Sequence, residues 1–194
     1  MVTPRRLFLI RHGPTHQTVF TGWRDVPADL SDTAAVARMR DHLPPDAPIV
    51  SSDLKRCVAT ADAIAGGRVR LPHDRDLREF DFGAWDGLGF EEVGKRDPFL
   101  SRAFWDDPGD ITPPGGESWN DVATRVSGAV TRHMANRPGD LVVVAHFGAI
   151  LCQIGLLTGQ TPKQTIAQKI DPLSVSELHF HGSHWSLTSV NHCP

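Results

Sequence analysis

The sequence has no tyrosine, only three cysteines and no apolar run long enough to cross a membrane. Cys57, Cys152 and Cys193 are odd in number and far apart, so they predict neither a disulfide framework nor a paired metal site. Near the N-terminus, the apolar run at 7–10 is ended by Arg11 well short of the core of a signal peptide. These absences predict a cytoplasmic protein with reduced thiols.

Neither sign of charge dominates the chain, because 20 basic and 23 acidic residues give a formal net charge of −3 over 194 residues. Such a balance gives no general attraction to nucleic acid or to an anionic membrane. We therefore expect neither as a partner, while a local basic pocket for a small anion stays compatible with the total. The sequence leaves the oligomeric state open, with a homodimer as one alternative.

Short apolar runs alternate with helical patterns along the chain. Buried strands are predicted at 7–10, 48–51 and 141–145, and an alternating hairpin at 175–180 and 185–190. Helices are predicted at 31–42, 52–65, 118–137 and 149–157, the second of them capped by Ser52 or Asp53. This order predicts a single α/β domain over 1–194, with three layers (α/β/α) and a mostly parallel mixed sheet. The segment 74–116 is rich in Gly, Pro, Asp and Trp and predicts a small cap insertion over a site.

Two predicted strands end in the same way, with a histidine and a glycine. Arg11, His12 and Gly13 follow the first strand, and His146 precedes Phe147 and Gly148 after the 141–145 strand. If the strands are neighbours, both histidines lie at the sheet edge where α/β proteins bind ligands. A neutral imidazole is a nucleophile, and an arginine fork binds phosphate. Histidines at solvated strand ends are the simpler alternative.

Further polar groups follow these strand ends. Candidate ligand donors are Thr15, Gln17, Thr21 and Gly22 in the loop after His12, together with Phe147 at the second strand. The helix that begins near Gly148 is expected to direct its N-terminal amides at an anion.

A cation and an acid complete the candidate set. Arg56 lies in the first turn of the helix predicted after the 48–51 strand, close enough to join Arg11 on a phosphoryl group. Glu79 and Asp81 stand among the aromatic residues of 77–87, where burial suits a general acid. Glu79 is the first choice and Asp81 the second, and the residues alone do not decide between them.

The order and spacing of these motifs resemble the histidine phosphatase superfamily, which includes the cofactor-dependent phosphoglycerate mutases. The motifs are Leu-Ile-Arg-His-Gly at 9–13, Thr-Gly-Trp at 21–23, Ser-Asp-Leu-Lys-Arg-Cys at 52–57, Arg-Glu-Phe-Asp-Phe-Gly-Ala-Trp-Asp-Gly at 78–87, Pro-Gly-Gly-Glu-Ser at 114–118 and Val-Ala-His-Phe-Gly at 144–148. The resemblance implies that His12 is the nucleophile, that Arg11, Arg56 and His146 bind the phosphate, and that Glu79 donates the proton. It also implies that no metal and no organic cofactor takes part.

Within the superfamily, the stretch at 79–87 is similar to the phosphatase branch and to α-ribazole phosphatases. Mutases of the family usually place Arg after the acid and use a nearby Tyr, whereas here Phe80 follows Glu79 and tyrosine is absent. The chain also departs from many members after Arg-His-Gly, where Pro14 and Thr18 replace an acid and an Asn. The expected substrate is a small phosphate ester, with α-ribazole 5′-phosphate as one candidate. Six aromatic residues of this region either form an apolar wall for its ring or, as is commoner for an insertion, pack a small core of their own; they are Trp85, Phe90, Phe99, Phe104, Trp105 and Trp119.

Three alternatives stay open at this stage. Instead of a phosphatase, the chain could be a phosphoglycerate mutase, a non-catalytic protein that binds a phospho-ligand, or a metal protein. The hypothesis of a metal site depends on His179, His181 and His184, because strand alternation puts the first two on one face. An exposed hairpin explains the same histidines more simply.

Overall fold

The computed structural model describes residues 5–135 and 137–194. Its strands are β1 (Arg5–Arg11), β2 (Ile49–Ser51), β3 (Leu141–Ala145), β4 (Val175–Phe180) and β5 (Trp185–His192). Its α-helices are α1 (Thr33–His42), α2 (Lys55–Ala63), α3 (Phe90–Arg96), α4 (Pro98–Asp106), α5 (Trp119–Ala135), α6 (Phe147–Thr158) and α7 (Pro162–Ile166). Residue 136 of the helix predicted at 118–137 lies outside the described residues. No described helix combines the length and apolarity that crossing a membrane requires.

The strands form one sheet in the order β2-β3-β1-β4-β5. Strands β2, β3 and β1 are parallel neighbours, and β4 pairs antiparallel with both β1 and β5. Four of the five described strands therefore run in one direction, and the predicted mixed, mostly parallel sheet is confirmed. Leu7 pairs with Leu141 and Arg11 with Ala145, so β1 and β3 end at the same level.

Helices cover both faces of the sheet because alternate strand residues point to opposite sides. Leu7 and Leu9 join one apolar cluster with α5 and α6, whereas Phe8 and Ile10 join another with α1 and α2. This arrangement confirms the three predicted layers. The central strands are buried on both sides, which explains their continuous apolar runs.

The second predicted helix is shorter than expected, and its cap was wrong. Helix α2 begins at Lys55 after Leu54, and no side chain caps it. Asp53 instead forms a two-bond ion pair with Arg78, at 2.6 and 2.7 Å, which ties the start of α2 to the segment 74–116. This pairing fixes the approach of that segment to the sheet edge.

The segment 74–116 has more regular structure than its composition predicted. It contains 3-10 turns at Arg75–Leu77 and Gly83–Trp85, followed by α3 and α4. Trp85 is fully buried, and its indole nitrogen donates to Asp97 at 2.7 Å, at the junction of the two helices. The helices are short because Asp97 and Pro98 interrupt them, which weakened the periodic signal.

Candidate active site

A cavity of about 340 Å³ opens at the carboxyl ends of β1 and β3. Among the predicted site residues, those that line it are Arg11, His12, Thr15, Gln17, Thr21, Arg56, Glu79 and Phe147. The remaining two, Gly22 and His146, lie behind the lining and contact Arg56. The chain therefore brings all the predicted site residues to one sheet edge.

His12 is buried, with 6% of its surface exposed. Its Nδ1 lies 2.7 Å from the carbonyl oxygen of Gly13, and since a carbonyl only accepts, Nδ1 carries the proton. Burial, helped by the charge of Arg56, lowers the pKa of His12 to about 3. The ring is therefore neutral near pH 7, with the lone pair of Nε2 available as a nucleophile.

Arg56 and His146 form a second buried unit beside His12. Arg56 Nε donates to His146 Nδ1 at 3.1 Å, and its two terminal nitrogens donate to the carbonyl oxygens of Arg24 and Gly22. The rings of His12 and His146 are 5.1 Å apart in an edge-to-face arrangement. Burial first, and then the charge of Arg56, hold the pKa of His146 well below its usual value.

The guanidinium of Arg11 contacts a main-chain carbonyl oxygen and an aromatic ring. Its Nη1 donates to the carbonyl oxygen of Ile170 at 2.6 Å, and the guanidinium lies 5.5 Å from the ring centre of Phe147. Its Nε is buried and has no hydrogen-bond partner within the described residues. An unsatisfied buried donor of this kind costs about 1–3 kcal/mol.

Glu79 occupies the N-terminus of α6, where the sequence analysis expected an external anion. Its Oε2 accepts from the amide of Gly148 at 3.1 Å, and its Oε1 from that of Ala149 at 3.2 Å. That expectation was wrong for these two amides, because the buried carboxyl group of Glu79 already uses them. Gly148 is required here, since a Cβ would lie 2.6 Å from Glu79 Oε1 and 2.5 Å from the ring of Phe80.

The two candidate acids occupy different environments. Glu79 lines the cavity and is 7% exposed. Asp81 is not among the cavity-lining residues, and its Oδ1 accepts from the amide of Gly83 in a tight turn. The geometry therefore favours Glu79 over Asp81 as the group that can exchange a proton with a ligand.

Two residues that the sequence analysis did not identify hold Glu79 in place. Arg125 on α5 donates to the main-chain carbonyl of Glu79 at 2.9 Å and pairs with both oxygens of Glu117 at 2.6 and 2.8 Å. Its other terminal nitrogen donates to the carbonyl oxygen of Arg78 at 2.8 Å. Glu117 lies in the motif at 114–118, so the sequence offered a signal for its functional role. Arg125 lies in an ordinary helical pattern, which gives no such signal.

The predicted aromatic wall is only partly present. Phe90 and Trp105 line the cavity, and they are joined by Phe82 and Phe147. Phe99 is 91% exposed and lies outside the lining. The alternative of packing in an apolar core holds for the buried members, which do not line this cavity; these are Trp85, Phe104 and Trp119.

The histidines of the hairpin do not form a ligand set. His179 Nε2 pairs with Glu177 Oε1 at 2.7 Å, and the rings of His181 and His184 stack 5.1 Å apart. Strand β4 ends at Phe180, so the alternation that placed His179 and His181 on one face stops before His181. Within residues 5–135 and 137–194, no group of three or more His, Cys, Asp or Glu side chains is placed to hold a metal.

Comparison with known proteins gives relatives along nearly the whole chain. Residues 7–192 match the family described as the histidine phosphatase superfamily (branch 1). A bifunctional protein of Mycobacterium tuberculosis is 36% identical over 93% of this chain and 52% of its own length. Phosphoglycerate mutase-like protein 4 of Arabidopsis thaliana is 30% identical, over 93% of this chain and 82% of its own. The chain thus spans about half the length of the mycobacterial relative.

Solved structures give the same picture. A mycobacterial glucosyl-3-phosphoglycerate phosphatase has a TM-score of 0.86 and 29% identity, covering 98% of this chain and all of its own. An α-ribazole-5′-P phosphatase from Escherichia coli, described as putative, has a TM-score of 0.83 and covers 97% of this chain and 96% of its own. Its identity of 21% supports the shared fold alone. The family match, together with the paired histidines and arginines at the sheet edge, assigns this chain to the histidine phosphatase superfamily, branch 1.

Proposed function

We propose that the protein is a phosphomonoesterase that needs no metal and works through a phosphohistidine at His12. The observation that carries this proposal is the contact of His12 Nδ1 with the Gly13 carbonyl, which leaves Nε2 unprotonated in a cavity that Arg11 and Arg56 also line. A neutral, buried imidazole beside cations is matched to attack on an anionic phosphoryl group.

In the first step, His12 Nε2 forms a bond to phosphorus while the bond from phosphorus to the ester oxygen breaks. Arg11 and Arg56 stabilise the charge on the transferring oxygens. Both arginines line the cavity beside His12, which supports this role. Glu79, protonated when substrate binds, gives its proton to the departing alcohol.

In the second step, a water oxygen forms a bond to phosphorus and the bond to His12 Nε2 breaks. Glu79 now accepts the proton of that water, so the same carboxyl group acts as acid and then as base. Inorganic phosphate leaves, and the enzyme returns to its starting state. His146 acts through Arg56, which it helps to hold in position.

For the substrate we propose a small phosphorylated metabolite, with α-ribazole 5′-phosphate as the first compound to test. The support is the uncharged aromatic lining beside the arginines, which suits a nucleotide-like ring.

Phosphate release tests the proposal without added metal and in the presence of a chelator. Wild-type protein is expected to release phosphate from p-nitrophenyl phosphate and from one or more of α-ribazole 5′-phosphate and 3-phosphoglycerate. His12→Ala should be inactive, whereas His16→Ala, a change at an exposed histidine of the same loop, should retain turnover. Wild-type activity that persists in His12→Ala, or that is lost with chelator, would contradict the proposal.

A further inference from the structure

We infer that the cavity selects phosphate esters of uncharged alcohols that carry a flat apolar group, and that Phe90 and Trp105 make the selection. This inference rests on the proposed phosphomonoesterase function and names the class of alcohol that it releases.

The charges of the lining are the first part of the argument. Among the described residues that line the cavity, the cations are Arg11 and Arg56, and the one acidic side chain is Glu79. Both arginines are needed for the single phosphoryl group, whose charge is spread over several oxygens. A second anionic group, such as the carboxylate of a phosphoglycerate, would meet only uncharged side chains and Glu79. Its desolvation would not be compensated.

The polar residues of the lining do not change this balance. Thr15, Gln17, Thr18 and Thr21 are uncharged and offer hydrogen bonds to hydroxyl groups. They suit an alcohol with neutral oxygens, and they leave a carboxylate without a counter-charge.

The aromatic part of the lining is fixed before a ligand binds. Phe20 is buried, and its ring centre lies 4.5 Å from that of Phe90, 5.0 Å from Phe82 and 6.1 Å from Trp105. Because these rings pack on the buried Phe20, part of their side-chain freedom is already lost before a ligand ring lies against them. The wall is therefore a preformed surface for a flat apolar group.

Two of these rings keep apolar surface in contact with solvent. Phe90 is 61% exposed and Trp105 is 37% exposed, although both belong to a packed aromatic cluster. Phe99 is also exposed and lies in the same pair of helices, but it does not line the cavity. Phe99 therefore provides a matched control for removal of an exposed ring near the site.

The test compares three esters of primary alcohols, so that the leaving groups are closely matched. These are 2-phenylethyl phosphate, glycerol 3-phosphate and 3-phosphoglycerate. We expect kcat/KM for the phenylethyl ester to exceed that for glycerol 3-phosphate by about 10-fold, since a stacked ring adds a favourable contact. We expect 3-phosphoglycerate to fall below glycerol 3-phosphate by about 10-fold or more, since its carboxylate lacks a partner.

Ring removal then assigns the selection to the two residues. Phe90→Ala and Trp105→Ala should each lower the ratio of kcat/KM for the phenylethyl ester to kcat/KM for glycerol 3-phosphate by about 3- to 10-fold. Phe99→Ala should change neither value. Thermal unfolding midpoints report whether a variant is folded, and the exposed Phe90 gives a usable result even if Trp105→Ala is unstable.

The outcomes separate this inference from the proposed function. Release from all three esters with 3-phosphoglycerate as the best substrate overturns the inference and leaves the phosphomonoesterase intact. The same holds if the phenylethyl ester has no advantage, or if Phe99→Ala removes that advantage as fully as Phe90→Ala does. No release from these esters or from p-nitrophenyl phosphate contradicts the proposed function, and the inference falls with it.

Discussion

Arg56 Nε lies 3.1 Å from His146 Nδ1, and this contact fixes the protonation of the histidine. An arginine nitrogen only donates, so Nδ1 must accept and the proton of the neutral ring lies on Nε2. The two other nitrogens of Arg56 are held by main-chain carbonyls at 2.6 and 2.8 Å. The guanidinium is therefore locked in one orientation at the cavity wall.

Arg56→Lys tests this orientation, because lysine keeps the charge but its single nitrogen cannot replace the planar fork that reaches three separate acceptors. We expect kcat/KM for p-nitrophenyl phosphate to fall about 100- to 1,000-fold, as when one transition-state donor is lost. Arg68→Lys is the matched control, since Arg68 also binds several carbonyl oxygens but lies outside the cavity lining. Equal losses in the two variants would show that Arg56 acts only on the fold.

Glu79→Gln tests the acid role through its dependence on the leaving group. We expect a loss of about 10²–10⁴-fold for an alkyl phosphate, whose alcohol needs a proton, and a smaller loss for p-nitrophenyl phosphate. Asp81→Asn is the control, because its side-chain oxygen can still accept from the Gly83 amide. Equal losses of Glu79→Gln with both esters would contradict proton donation by Glu79.

Arg125→Lys tests whether the Glu117–Arg125 pair positions Glu79. Lysine lacks the guanidinium fork of Arg125, so the hydrogen bond to the main-chain carbonyl of Glu79 is lost. We expect about a 10-fold loss of kcat with alkyl phosphates and a smaller loss with p-nitrophenyl phosphate. KM should change little. Arg132→Lys on the same helix is the control, since Arg132 pairs with Asp74 and Asp76 instead. A loss independent of the leaving group would mean that Arg125 serves stability alone.

The pH dependence of stability tests the buried, neutral state of His12. Burial lowers the pKa of His12 to about 3, below the value of about 6.5 for an unfolded chain. The unfolded state therefore binds the proton more readily, and stability is complete above pH 6.5 and declines as the pH falls toward 3. From pH 7 to pH 5, His12 should contribute about 2 kcal/mol to the fall in the free energy of unfolding.

Denaturant unfolding of wild type and His12→Ala measures this contribution. The variant should lose less stability than wild type between pH 7 and pH 5, by about 2 kcal/mol. Between pH 7.5 and pH 9 the two curves should run parallel, because His12 is neutral there in both states. Parallel curves down to pH 5 would contradict a lowered pKa for His12.

The fold and the centre of the site were largely predictable, because short local patterns determine them. The apolar runs that became β1 and β3 are buried on both faces, and each delivers a histidine at the same level of the sheet. Once two such strands are neighbours, His12 and His146 must lie close together, because each directly follows the end of its strand. The acid Glu79 and the glycine Gly148 also lie in recognisable motifs.

The errors came from contacts between distant segments. Glu79 reaches the amides of α6 across 69 residues of sequence, which no local pattern indicates. Asp53 pairs with Arg78 rather than capping α2, and Arg125 reaches Glu79 from a helix whose pattern shows only packing. The aromatic wall was wrong in part because composition does not tell a ring that packs inside, such as Trp85, from one that faces a cavity, such as Phe90.

The most direct test of the account is to trap the phosphorylated intermediate. The protein is mixed with phosphorus-labelled p-nitrophenyl phosphate, quenched in alkali, in which a phosphohistidine survives, and mapped by peptide analysis. The account predicts label on His12 that is stable to alkali and lost in acid, and no label in His12→Ala. Turnover by wild type with label on another residue, or with His12→Ala equally active, would contradict it.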